Sequence, residues 1–411
     1  MFPEGKLMKY GIIYRRTTKN IGDDVQSYAQ LQWLPSLDYL VDIEELDAFK
    51  SDNDEPVATI MSSWYMWQKW NWPPSKDIYP LWVGFHYNDI QRGRPRGMPS
   101  KWEYVDNGPG HEYLKKYEPI GCRDYYTQAR MDELGIKNYF SGCITLTLKK
   151  RKIVKPEREY IVINGVAKPV EKAIKKQLEG SGIDIKVLAP TRPEPSTDMP
   201  WAERQAQVEE MLDLYQNAKC VITFRLHCAL PSLALGTPVL LVRKSFKSVR
   251  FKPYSDWLHH AFDTEVIEGK YKDWFLNPPA NPDDYLETRH ALEKTVSEFL
   301  EKAKNETRKA SELDRLKIDP DELMKWQHAR MKETLHSYHI ESQIDLGEMN
   351  RLKRKVANCE NKISEYENKL AEMNKVKEEN KMYRSVVSYS FASFLYRLRK
   401  SLGRIKRKIF K

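Results

Sequence analysis

The sequence contains no apolar run approaching the length of about 18 residues that marks a transmembrane helix, so none is expected. Its first residues, MFPEGKLMKYGIIYRR, lack the basic start and apolar stretch of a secretory signal. Cysteine is sparse: the five residues Cys122, Cys143, Cys220, Cys228 and Cys359 are odd in number, scattered, and free of the paired spacings that bind metals. A reduced, cytoplasmic setting follows, with no metal and no cofactor expected. Acid is what the C-terminus lacks. Residues 382–411 hold nine Lys or Arg and no Asp or Glu, which accounts for nearly all of the net charge of +10. The rest of the chain is close to neutral, so the charge describes a tail and not a groove. Nucleic acid is therefore not an expected partner.

What the sequence does contain is a regular alternation of strand and helix signals. YGIIY (Tyr10 to Tyr14) reads as a strand, followed by NIGDDVQSYAQLQWL with Ile21, Val25, Tyr28 and Ala29 at helical spacing. VATIMSSW and PLWVGFH read as strands, PIGCRD leads into a helix YYTQARMDELGI, and NYFSG is again a strand. The basic stretch LKKRKIVKPERE (Leu148 to Glu159) interrupts the pattern as a linker. Beyond it YIVINGV, IDIKVLAP, KCVITF and PVLLV alternate as strands with helical segments. The expected fold class is α/β: two facing Rossmann-like domains, residues 1–150 and 151–305, with a cleft outside the carboxyl ends of their strands.

A charged helical connector is expected over 306–345. Met349, Leu352, Val356, Cys359, Ile363, Tyr366, Leu370 and Met373 then recur at spacings of three and four, predicting a coiled coil over 346–381 and a homo-oligomer. A single surface helix packed on its own domain would show the same pattern. Residues 382–411 mix aromatics and leucines with basic residues, the composition of an amphipathic tail on an anionic membrane surface. A solvated basic tail is the alternative. Together these features place the chain in the cytoplasm, peripheral at the inner face of the membrane.

The chemistry concentrates in VITFRLHCALPSLALGTPVLL (Val221 to Leu241), where a buried strand meets a buried helix. The helix is expected to start near Cys228, with Pro231 in its first turn. Free N–H groups and a partial positive charge make such a helix start an anion site. Arg225 adds a fork-shaped cation, and His227 a group able to donate to an oxyanion or shuttle a proton. Structurally, Arg225 could instead tie down a loop and His227 be a core residue.

TFRLHCALPSLALGTPVLLV, the early NIGDDVQSYAQ and the middle GCRDYYTQARMDELGI together resemble the polysaccharide pyruvyl transferase family, over about Lys9 to Asp263. The resemblance implies a glycosyltransferase-B-like arrangement of the two domains and phosphoenolpyruvate as donor. It also implies an acceptor that is a cell-surface polysaccharide or lipid-linked glycan, whose hydroxyls receive a pyruvate ketal. Residue by residue it implies donor-binding roles for Arg123, Arg225, Asn20 and Gly22, with His227 and Asp23 as catalytic candidates. A lysine follows the last strand in that family; here Lys244 and Lys247 both qualify, and Lys247 is taken as the candidate. The strand before GCRD is short and carries Cys122, a looser local fit.

Asp23 and Asp24 could deprotonate a sugar hydroxyl, yet both also sit where carboxylates stabilise a helix start. SSWYMWQKWNWPP (Ser62 to Pro74) holds four of the eleven tryptophans, with Trp64 and Trp67 candidates for stacking on an acceptor sugar and plain packing the alternative. His86, ending WVGFH, is a further acceptor-side candidate by position, or a satisfied structural histidine. The competing activity is a nucleotide-sugar-dependent glycosyltransferase of the same architecture, which would place carboxylates such as Asp256, Asp263 or Glu265 in the cleft.

Overall fold

The computed structural model describes residues 8–313 apart from 66–71, 88–102, 153 and 247–250, and, further on, scattered residues from 346 to 372 and Lys400. Residues 1–319 form one compact unit and 320–411 a second.

The first unit opens with β1 (Lys9–Tyr14), α1 (Ile21–Leu31), β2 (Tyr39–Asp42), β3 (Val57–Met61) and β4 (Ile78–Trp82). Every pairing is parallel, in the order β2-β1-β3-β4. The apolar KYGIIY and VATIM runs are buried because a parallel sheet is covered on both faces. Then follow α2 (Glu103–Asp106), α3 (Gly108–Lys116), β5 (Ile120–Cys122), α4 (Tyr125–Glu133) and β6 (Asn138–Phe140). β5 and β6 pair in parallel, and single bridges link Trp64 to His86 and Phe85 to Cys122. WVGFH, expected as one strand, therefore ends its ladder at Trp82 and continues only as isolated bridges, with Gly84 turning the chain at φ +63°.

The second half runs through β7 (Tyr160–Asn164), α5 (Lys168–Gln177), β8 (Asp184–Leu188), α6 (Trp201–Asn217), β9 (Val221–Thr223), α7 (Leu226–Ala234), β10 (Val239–Arg243) and β11 (His259–Phe262). It too is wholly parallel, in the order β11-β10-β9-β7-β8. Both sheets share one plan, in which the first strand lies between the second and the third. In such a sheet ligands bind where the strand order reverses, outside the carboxyl ends. Those points are the β1/β3 and β7/β9 borders.

The short α8 (Asp263–Ile267) and α9 (Lys272–Leu276) lead to α10 (Tyr285–Lys304). Leu292, Val296, Phe299 and Ala303 on α10 share a core with Tyr10, Ala58 and Ile60 of the first sheet, and Phe299 stacks on Tyr79 at 5.6 Å. The same core takes in Val162, Val208, Leu212 and Tyr215. In the second unit the described residues from 346 to 372 are helical. Met349 and Val356 are among them; the other six heptad positions lie outside the described residues, as does the basic tail save Lys400. No helix among the described residues is long and apolar enough to cross a membrane.

Candidate functional site

The two strand-order reversals open onto a pair of adjoining chambers. One, of about 470 Å³, lies toward the first sheet and is lined by residues including Arg15, Thr18, Asp23, Gln26, Ser63 and Trp64. The other, of about 330 Å³, lies toward the second sheet, with Asn164, Tyr215, Phe224, Arg243 and Phe251 in its wall. Asn20, Arg225 and His227 line both.

On the first side, Asn20 caps α1: its side chain accepts from the Gly22 amide at 3.2 Å and donates to Asp23 at 2.8 Å. Gly22 is there for space. A Cβ on it would stand 3.0 Å from His227 Cβ, so the glycine lets the start of α1 close on the histidine. Asp23 accepts from the Thr18 hydroxyl at 2.7 Å and lies 3.7 Å from the Arg15 guanidinium. Burial raises the pKa of its carboxyl; Arg15, Thr18 and Asn20 oppose the rise, and the nearby Asp24 adds to it. An aspartate held this way is suited to accept a proton.

Asp24, equivalent to Asp23 in the sequence, has another task. It is fully buried and bound by Arg192 at 2.5 Å and by Arg204 through Nε at 3.1 Å and a second, shorter contact. Arg204 also donates to the carbonyls of Arg15 and Arg16. This charged cluster fastens α1 and the loop before it to the second half, and it excludes Asp24 from the chemistry.

On the second side, Arg225 is the N-cap residue of α7, its backbone extended and its amide donating to Thr223 Oγ1 at 3.0 Å. Gly165, at φ +78°, leaves room for its Nε, and a Cβ there would lie 3.3 Å from that nitrogen. Nε is buried without a hydrogen-bond partner among the described residues, and burial lowers the guanidinium's pKa while leaving it a cation. The helix starts at Leu226, two residues before the expected Cys228, which places Pro231 inside the helix and not in its first turn. Proline lacks the donor for the carbonyl four residues back, and its ring collides with that carbonyl in a regular helix. That residue is His227, whose ψ of 20° departs from helical geometry. Pro231 thus accounts for the local turn that carries the histidine. The His227 Nε2 lies 3.9 Å from Cys143 Sγ, a thiol that also receives the Thr145 hydroxyl at 3.3 Å.

The remaining candidates divide. Arg123 is buried at 1% exposure behind Trp64, its guanidinium 5.5 Å from the indole centroid, and lines neither chamber. His86 is likewise buried. Its Nδ1 is 2.5 Å from Asp124, and its ring lies 4.9 Å from that of Trp64, inclined to it. Burial works to raise the Asp124 pKa, but the hydrogen bond and charge of His86, with Arg123 and the Thr127 amide, hold it below the usual range. His86 therefore fits the structural alternative. Trp72 and Trp82 pack with Tyr65, Phe85 and Tyr113 in an aromatic core, so only Trp64 of the described tryptophans in the rich segment faces a chamber. Trp67 and Lys247 lie outside the described residues; Lys244 is exposed and lines neither chamber. Asp256, Asp263 and Glu265 are also absent from both walls, and Glu265 is occupied at the Phe262 amide, 2.9 Å away.

Sequence reasoning missed Arg15, Cys143, Asn164 and Arg243. A usable signal existed for three of them. Arg15, Asn164 and Arg243 each stand at or just beyond the carboxyl end of a buried strand, where a polar residue has no packing reason to be.

Comparison with known proteins bears on this segment directly. Residues 97–243 match the polysaccharide pyruvyl transferase family. The matched stretch holds Arg123, Arg225, His227 and Arg243, and the family is one of transferases, so the chain is an enzyme of that class. Asn20, Gly22 and Asp23 precede it. No curated protein matches the chain. Among solved structures, a UDP-GlcNAc 2-epimerase of Methanocaldococcus jannaschii, crystallised with UDP-GlcNAc and UDP, is 12% identical, covering 72% of this chain and 100% of its own at a TM-score of 0.38. A putative UDP-N-acetylglucosamine 2-epimerase from Listeria monocytogenes is 10% identical over 74% and 98%, at 0.39. S. aureus MnaA, solved with UDP, is 9% identical over 71% and 91%, at 0.31. Likenesses this distant carry nothing about chemistry, and the α/β fold rests on the strand order itself.

Proposed function

We propose that the chain transfers the enolpyruvyl group of phosphoenolpyruvate to two hydroxyls of a sugar in a cell-surface polysaccharide or lipid-linked glycan, giving a pyruvate ketal. The observation that carries this reading is the meeting of Asn20, Arg225 and His227 at the junction of two chambers, with Asp23 in the wall of the larger, within a family-matched transferase. Phosphoenolpyruvate brings a phosphate and a carboxylate. Arg225 and the start of α7 supply cation and dipole for one of them. The larger chamber, with Trp64 as a stacking face and Thr18, Gln26 and Asp23 as polar contacts, suits a sugar ring.

In this account Asp23 accepts the proton of the first sugar hydroxyl as its oxygen attacks the donor's second carbon. His227 delivers a proton to the methylene carbon, turning it into a methyl group. The bond to the phosphate oxygen then breaks, the second hydroxyl closes the ring, and its proton leaves with inorganic phosphate. The basic tail would hold the enzyme peripherally at the cytoplasmic membrane face, near its acceptor, and the coil would make it a homo-oligomer. The competing nucleotide-sugar reading finds no support among the described residues of the chamber walls, where Asp256, Asp263 and Glu265 do not appear. The test is binding: phosphoenolpyruvate should bind the wild type and lose that binding in Arg225→Ala, whereas a nucleotide sugar should not bind.

A further inference from the structure

Arg123 poses a physical problem that the rest of the site does not. It is 1% exposed, and neither terminal nitrogen of its guanidinium has a hydrogen-bond partner among the described residues. Burying a cation unpaired is expensive, and folded proteins seldom leave such a group unanswered without a use for it. The adjacent Asp124 does not answer it by hydrogen bonding. That carboxylate is turned to His86 at 2.5 Å and to the amide and hydroxyl of Thr127, each at 2.9 Å. Beyond the charge of Asp124, the guanidinium has the indole of Trp64, 5.5 Å away. Trp64 lines the larger chamber, whereas Arg123 does not. The indole is itself placed, its backbone bridged to His86 and its ring inclined at 37° to the imidazole.

We propose that Trp64 is a specificity-determining cover over Arg123: an anion in the chamber reaches the guanidinium only by displacing the indole. The cation–π contact satisfies Arg123 in part while the site is empty, and every anion that uses Arg123 gives up that contact on binding. A ligand with a single anionic group, held at Arg225, has no second charge with which to uncover Arg123. A ligand with two anionic groups does. The cover therefore selects a doubly anionic donor over free phosphate. The inference deepens the reading above, resting on it only in taking the cleft as an anion site.

The experiment is calorimetric titration of the full-length protein with inorganic phosphate and with phosphoenolpyruvate. It compares wild type, Trp64→Ala and Trp64→Phe, each with and without Arg123→Gln. Removing the cover should tighten binding of phosphoenolpyruvate by between about twofold and thirtyfold, the range spanned by exposed to desolvated cation–π contacts, and let phosphate reach Arg123 as well. Trp64→Phe, which keeps a smaller ring and a folded wall, should gain less, and Arg123→Gln should cancel both gains. Unchanged or weaker binding of both anions in the Trp64 variants would overturn the proposal, as would a gain that survives Arg123→Gln. Tight phosphoenolpyruvate binding with no gain on uncovering would sink the cover and leave the donor reading standing. An Arg123-dependent gain for phosphate, with phosphoenolpyruvate binding no better than phosphate, would uphold the cover and sink the donor.

Discussion

At the scale of single residues, groups that look alike in the sequence take different parts in the site. His227→Ala should lower turnover by about 10²- to 10⁴-fold, the usual worth of a positioned proton donor, while leaving phosphoenolpyruvate bound through Arg225. Asp23 must be ionised to accept a proton. Because burial raises its pKa, the acid limb of the rate profile should begin above the ordinary aspartate value of 3.8, with activity present above that pKa and lost as pH falls through it. The sign for stability runs the other way. A carboxyl that binds its proton more tightly when folded costs stability once ionised, so Asp23→Asn should melt higher at neutral pH while losing the rate. Arg225 and His227 were legible because a buried strand and a buried helix leave no packing reason for two such side chains. Asp23 and Asp24 were not separable, since the arginines that claim Asp24 lie 168 and 180 residues away along the chain. The tryptophans of residues 62–74 divided for the same reason: Trp72 found a core and Trp64 a chamber wall, a distinction only tertiary packing makes.

At the scale of elements, two devices hold the site. Asp24 with Arg192 and Arg204 ties α1 to the second half from a fully buried position. Removing one partner strands the others, so Asp24→Asn should cost roughly 3–5 kcal/mol, read as a lower urea midpoint. Pro231 is the second device. Restoring a donor with Pro231→Ala should regularise the start of α7 and turn His227, reducing turnover with no loss of melting temperature. The expected strands and helices mostly appeared, because period-two and period-3.6 patterns report burial directly. The start of α7 fell two residues early, since Pro231, read as a first-turn proline, instead sits inside the helix and distorts it four residues back at His227. The strand at WVGFH broke early, because the chain turns at Gly84.

At the scale of the molecule, two sheets built on the same strand order bring their reversal points to one cleft, with α1 and α7 starting at its junction. The alternation of elements made that architecture readable, but not the return of α10 to the first sheet's core, which follows no local pattern. The coil and the basic tail belong to the sequence argument alone. If the tail tethers the enzyme, truncation before residue 382 should abolish sedimentation with anionic vesicles and leave phosphoenolpyruvate affinity unchanged.

The central claim, that this cleft takes phosphoenolpyruvate as donor, is tested most directly by thermal unfolding of the wild type and Arg225→Ala with phosphoenolpyruvate and with a panel of nucleotide sugars. A ligand at about a hundred times its dissociation constant stabilises the native state by about 2.7 kcal/mol. The expected result is a rise in melting temperature with phosphoenolpyruvate alone, absent in Arg225→Ala. A rise with a nucleotide sugar and none with phosphoenolpyruvate would contradict it.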